Sequence, residues 1–80
     1  MDKLVIKNHI RELRFKASEM TQQSLAEKVG ITRQTVIALE KGKYYPSLEL
    51  AFRIAATFGV KLEDAFHVEE PNAYEVHSQS

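Results

Sequence analysis

Cysteine is absent from the 80 residues, so no disulfide can staple the fold, no thiolate can hold zinc and no cysteine nucleophile is available. Long apolar runs are missing as well. Stretches such as Leu4-Val5-Ile6 fall far short of the roughly 18 residues that a membrane span needs. The opening Met1-Asp2-Lys3 leads into no secretory apolar segment, so a soluble intracellular protein is expected. Length itself is scarce. A chain of this size holds one domain and buries only about 60% of the surface that its unfolded form exposes, which leaves room for neither an elaborate catalytic pocket nor a ligand-sensing domain. Stability has to come from tight helix packing or self-association.

Net charge is lacking too, with Lys and Arg matching Asp and Glu at 11 each. That balance hides an asymmetry. Residues 1–59 hold ten Lys and Arg against six acids, and residues 60–80 hold one Lys against five acids. The first three quarters therefore carry +4 and the remainder −4, so a polyanionic partner suits the first part of the chain.

The apolar period is helical. Asn8 is placed to cap a first helix with Ile10, Leu13 and Ala17 inward, ending near Ser18. Thr21 opens a second, with Leu25, Ala26 and Val29 inward, stopped by Gly30. Thr32 opens a third, with Val36 and Leu39 inward, stopped at Gly42. Pro46-Ser47 marks a stop and a new start, after which Leu48, Ala51, Ile54, Ala55 and Phe58 share a stripe before Gly59. A short helix over Leu62–Phe66 follows, with Glu63 and Asp64 in its first turn. Lys3–Lys7 and Phe66–Glu69 read as short strands able to pair with each other. The expected organisation is an arm or strand over 1–7, an all-α five-helix domain over 8–66, and a short strand followed by a polar tail over 67–80. The stretch Asn72–Ser80, with only Tyr74 and Val76 as large apolar residues, is expected to be poorly ordered without a partner.

Two short helices joined by a tight glycine-containing turn, Thr21–Gly42, have the spacing of a helix-turn-helix, although any αα-hairpin can share it. The side chains narrow the choice. With Val36 and Leu39 inward, Arg33, Gln34, Ile37, Ala38 and Lys41 point outward, and Thr32, Arg33 and Gln34 stand at the end that would meet bases. Arg can bond bidentately to guanine and Gln to adenine, and an exposed Ile37 suits a thymine methyl or the rim of the core. Gln22 and Gln23, at the start of the preceding helix, suit an anion. Lys41, Lys43, Tyr44 and Tyr45 form a basic and aromatic loop able to clamp a phosphate backbone, although any one lysine could be a solvated surface charge.

The segments Met20–Ala26, Val29–Val36 and Glu40–Ala51 resemble the Cro/CI-type repressors of the xenobiotic-response-element family. The resemblance extends over residues 8–66, and in particular to short DNA-binding-only repressors similar to the regulator of enterococcal cytolysin production. It implies a lambda-repressor-like domain that binds double-stranded DNA as a homodimer, in the cytoplasm at the prokaryotic nucleoid. Gln22 then matches a phosphate contact, Arg33 and Gln34 base-reading positions, and Lys43 a loop contact to the backbone. Arg14 and Glu40 match a structural ion pair. Three departures stand out: Ser18-Glu19 where glycine is common in a link one residue longer than usual, Ser24 in place of an acidic capping-box residue, and a short Ala38 at a position that often reads a base.

Phe52, Phe58, Val60, Leu62 and Phe66 exceed what one small bundle encloses and are expected at a dimer interface. An enzyme is not expected. His9, His67 and His77 lack metal-ligand spacing, and neither a Ser/His/acid set nor a Gly-rich phosphate loop can be assembled. No metal, cofactor or small-molecule ligand is indicated. The acidic segment Glu63–Glu75 leaves open an antitoxin-like module that binds a protein partner through its tail.

Overall fold

The computed structural model describes residues 4–69. The tail expected over Asn72–Ser80, and the acidic segment beyond Glu69, lie outside the described residues. The elements run β1 (Ile6–Asn8), α1 (Ile10–Lys16), α2 (Gln22–Val29), α3 (Arg33–Glu40), α4 (Leu48–Phe58), α5 (Leu62–Ala65) and β2 (Phe66–Val68).

Local chemistry sets most of these limits. Thr21 Oγ1 accepts from Ser24 N at 3.0 Å, Thr32 Oγ1 from Thr35 N at 3.2 Å, and Ser47 Oγ from Leu50 N at 3.1 Å. Each hydroxyl supplies an acceptor to an amide that the first turn of a helix leaves without one. At the other end α2 stops on Gly30 with φ +80°, and the turn after α3 passes through Gly42 with φ +75°. A side chain in that left-handed region would meet the following carbonyl. Where no cap forms, the limit moves: α1 begins after His9, whose side chain does not cap, and Asn8 instead reaches Ile10 N through Oδ1 at 3.2 Å.

The core is built by Ile10, Leu25, Val29, Val36, Leu39 and Ile54, all fully buried, each of which stabilises the fold by about 1.5–3 kcal/mol relative to exposure. Ala26, Leu50, Ala51, Ala55 and Ala65 complete it. Two helices depart from the expected pattern. Leu48, read as part of the inner stripe of α4, is 68% exposed, and Leu50 is buried in its place. In the first turn of α4 the inward side falls on Leu50 and Ala51, which leaves Leu48 facing out. On α1 the buried positions are Ile10 and Arg14, while Leu13 and Ala17 are only half-buried. A charged residue takes an inner position because its partner is there to receive it.

The chain ends meet in a two-stranded antiparallel ribbon with Ile6 opposite Val68, Lys7 opposite His67 and Asn8 opposite Phe66. The first strand therefore lies further along than Lys3–Lys7, and Phe66 opens β2 rather than closing α5. Glu69 N donates to Val5 O at 2.8 Å and His9 N to Ala65 O at 2.9 Å, which extend the ladder at both ends. Lys7 and Glu69 pair at 3.4 Å. His9 Nδ1 lies 2.8 Å from Glu12 and its Nε2 lies 2.9 Å from His67 Nδ1.

Candidate nucleic-acid interface

The candidate surface is organised around α3. Its inner residues, Val36 and Leu39, are buried, which fixes the rotation of the helix. Thr32, Arg33 and Gln34 then stand exposed at its amino end, with Lys41 exposed just past its carboxyl end. Ile37 and Ala38 are half-buried. Arg33, Ile37 and Lys41 are four residues apart and form one outward stripe.

Beside this stripe, Arg14 on α1 and Glu40 on α3 come together: Arg14 Nε donates to Oε2 of Glu40 at 2.6 Å and Nη2 to Oε1 at 3.1 Å. Both side chains are 10% exposed. A third donor, Arg14 Nη1, reaches the carbonyl of Met20 at 2.8 Å and so closes the link between α1 and α2. Gln22, read as a phosphate contact, is half-buried, and its Nε2 donates to Glu40 Oε1 at 3.1 Å. One of its two amide hydrogens is thus engaged inside the protein and the other is left for a ligand. Gln23 is exposed and bonds Glu27 at 3.1 Å. Gln22, Gln23, Thr21, Arg14 and Arg33 line one depression, so the amino ends of α2 and α3 share a single concave surface.

The loop after α3 carries Lys43, Tyr44 and Tyr45, all exposed. It is tethered from behind. Tyr45 Oη accepts from Ile6 N at 3.4 Å, and Asn8 Nδ2 donates to Leu39 O at 2.7 Å near the end of α3. Asn8, placed by sequence only as a cap for α1, therefore bridges β1, α1 and α3.

Sequence reasoning passed over two residues on α1. Arg11 and Phe15 line a cleft of about 420 Å³ with Arg14, Gln22, Ile37, Glu40 and Lys41. Arg11 is exposed and Phe15 is 53% exposed. The guanidinium carbons of Arg11 and Arg14 lie 5.6 and 5.9 Å from the Phe15 ring centroid. The signal was the spacing 11, 14, 15, which places the three on one helical face.

Of the residues expected at a dimer interface, Phe52 is 53% exposed. Val60 and Leu62 are half-buried. Phe58 and Phe66 pack against the protomer's own core. Both are half-buried in the protomer. Among the described residues no group of His, Cys, Asp and Glu could hold a metal ion, and no helix is long and apolar enough to cross a membrane.

Comparison with known proteins agrees with this geometry. The helix-turn-helix family model (HTH_3) matches residues 10–64. The HTH-type transcriptional regulator YgzD of Bacillus subtilis is 51% identical over 67 residues, 84% of this chain and 100% of that protein. The cryptic phage CTXphi transcriptional repressor RstR of Vibrio cholerae is 32% identical over 63 residues, covering 79% of this chain and 56% of that protein. Among solved structures, the restriction-modification controller protein C.AhdI of Aeromonas hydrophila superposes with a TM-score of 0.61 at 29% identity, covering 69% of this chain and 78% of that one. With its bundle of capped short helices, the small terminal ribbon and these relatives together, the chain belongs to the Cro/CI-type helix-turn-helix family of DNA-binding transcriptional regulators.

Proposed function

We propose that the protein is a repressor that binds a two-fold symmetric operator as a homodimer, with the helix Thr32–Lys41 in the major groove. The observation that carries this reading is the outward amino end of α3. There Thr32, Arg33 and Gln34 are exposed, and Arg33 lines the depression at the start of α2. Arg33 reads a base, at a guanine edge within reach of its guanidinium, and Gln34 suits adenine. Ile37 offers an apolar contact between them and Ala38 leaves space beside it. Gln22 and Gln23 on one side, and Lys41, Lys43, Tyr44 and Tyr45 on the other, hold the phosphate backbone. Repression is supported by the likeness to RstR, named as a transcriptional repressor.

Exposed Phe52 and half-buried Val60 and Leu62 form the remaining patch for a second copy, which would set two recognition helices about 34 Å apart, one turn of B-DNA. Arg33→Ala tests the reading. On a site selected from random DNA it loses about 1–3 kcal/mol and relaxes preference at one base pair per half-site. An equal loss on selected and mixed-sequence duplexes at fixed salt would refute Arg33 as a base reader.

A further inference from the structure

We infer that Arg11, braced by Phe15, is an additional phosphate contact that carries the DNA footprint beyond the helix-turn-helix onto the outer face of α1. The inference rests on α3 being the groove-binding helix. Its ground is the charge and shape of the cleft between α1 and α3. That cleft is bordered by Ile37 and Lys41 of the outward stripe of α3 and, across from them, by Arg11 and Phe15. Two of its charged residues cancel, since Arg14 and Glu40 are joined by two hydrogen bonds. The charges that remain are Arg11 and Lys41. Neither has a carboxylate within ion-pair distance among the described residues, where Lys7, His9, Arg14 and Arg53 do. The cleft therefore presents two uncompensated cations to solvent at the edge of the surface that faces DNA.

The one acid on the helix of Arg11, Glu12, pairs with His9 at 2.8 Å and not with Arg11. A surface arginine gains from a carboxylate three or four residues away, yet those positions hold Lys7, Asn8, Arg14 and Phe15. In place of an acid stands an aromatic ring, half-exposed, with the Arg11 guanidinium carbon 5.6 Å from its centroid. A cation over a ring face is held by the ring's quadrupole without losing its charge. The guanidinium consequently keeps its donors free for a phosphate oxygen while giving up less rotamer freedom on binding. Phe15 is a positioning residue in this scheme. It adds little to the core of its own protomer, and its exposure follows from what it holds.

The test compares wild type with Arg11→Gln, Phe15→Leu and Lys28→Gln, the last removing a charge from the far end of α2. Each is titrated against a selected site and a mixed-sequence duplex over a range of salt. Arg11→Gln is expected to weaken binding roughly tenfold on both duplexes, with the slope of log affinity against log salt reduced by about 0.9 per bound protomer. Phe15→Leu should lower affinity by a smaller factor at an unchanged slope, since the charge remains, and its thermal midpoint should match that of wild type. Lys28→Gln should leave both quantities alone. Wild-type affinity and slope for Arg11→Gln, with Arg33→Ala still impaired, would overturn the inference and leave the recognition helix standing. If Arg33→Ala is unimpaired as well, both fall. A change in base preference by Arg11→Gln would also overturn the phosphate assignment.

Discussion

Removing Arg14 should cost this protein a large share of its stability. Arg14 is 8% exposed, and its side chain donates to both carboxylate oxygens of Glu40 and to the carbonyl of Met20, at 2.6, 3.1 and 2.8 Å. Arg14→Ala leaves the Glu40 carboxylate in its 10%-exposed position with only the Gln22 amide at 3.1 Å. Breaking one half of such a pair costs about 3–5 kcal/mol, because the surviving charge stays buried without a counter-charge. Small domains have about 0.05–0.15 kcal/mol of stability per residue, so a chain of 80 residues has only a few such losses to spend. A single substitution should lower the thermal midpoint by more than about 10 °C.

Removing both charges is a different perturbation. Arg14→Met with Glu40→Leu replaces the pair by apolar groups of similar length, a change that is often neutral or stabilising. Here it should still lose about 1–2 kcal/mol, since the carbonyl of Met20 loses a donor. Urea denaturation followed by helical circular dichroism measures both variants. The reasoning is refuted if Arg14→Ala costs less than about 1 kcal/mol, or if the double variant is as damaged as the single one, since either result means that the orphaned charge is not what destabilises.

Lys43→Ala, in the exposed loop after α3, should weaken all DNA sequences alike and reduce the salt slope by about one per protomer; an unchanged slope in a binding titration removes Lys43 from the phosphate contacts. Gln22→Ala should lower affinity with little change in slope, and should also cost about 1 kcal/mol in urea because Glu40 loses a donor. Phe52→Asp should sediment as a monomer where the wild type is expected to sediment as a dimer; two dimers would place the interface elsewhere, and two monomers would refute the proposed homodimer. Ser18 and Glu19 have φ of 60° and 57°, each about 1–2 kcal/mol above the right-handed region. Glu19→Gly should therefore raise stability by about 0.5–1 kcal/mol after the entropy of glycine is charged against it, and a loss in denaturation would show that the Glu19 side chain stabilises the link.

What the sequence disclosed follows from how local each determinant is. The limits of α2, α3 and α4 were legible because a hydroxyl three residues before the amide it caps, or a glycine where φ turns positive, acts within one turn of chain. Thr21, Thr32, Ser47 and Gly30 all act in that way. The strand register was not. Whether Leu4-Val5-Ile6 or Ile6–Asn8 pairs with Phe66–Val68 depends on where five intervening helices deliver the second strand, and nothing near either strand encodes that. Leu48 misled for a related reason. Helical period assigns a face to a residue, but only the neighbouring elements decide whether that face is covered at its first turn.

The residues added to the site share this dependence on distant chain. Arg11 has no carboxylate three or four residues away on its own helix, and the role proposed for it arises only because α1 lies beside Lys41 and Ile37. Asn8 bonds Leu39 O across 31 positions, and Tyr45 accepts from Ile6 N across 39. These two bonds join the terminal ribbon to the end of α3 and to the loop that carries Lys43. A ribbon strand that shifts must therefore either break these bonds or move the loop with it. The loop that carries Lys43 is anchored through the chain ends, so a substitution in β1 is expected to act on the proposed site without touching a residue proposed to contact DNA.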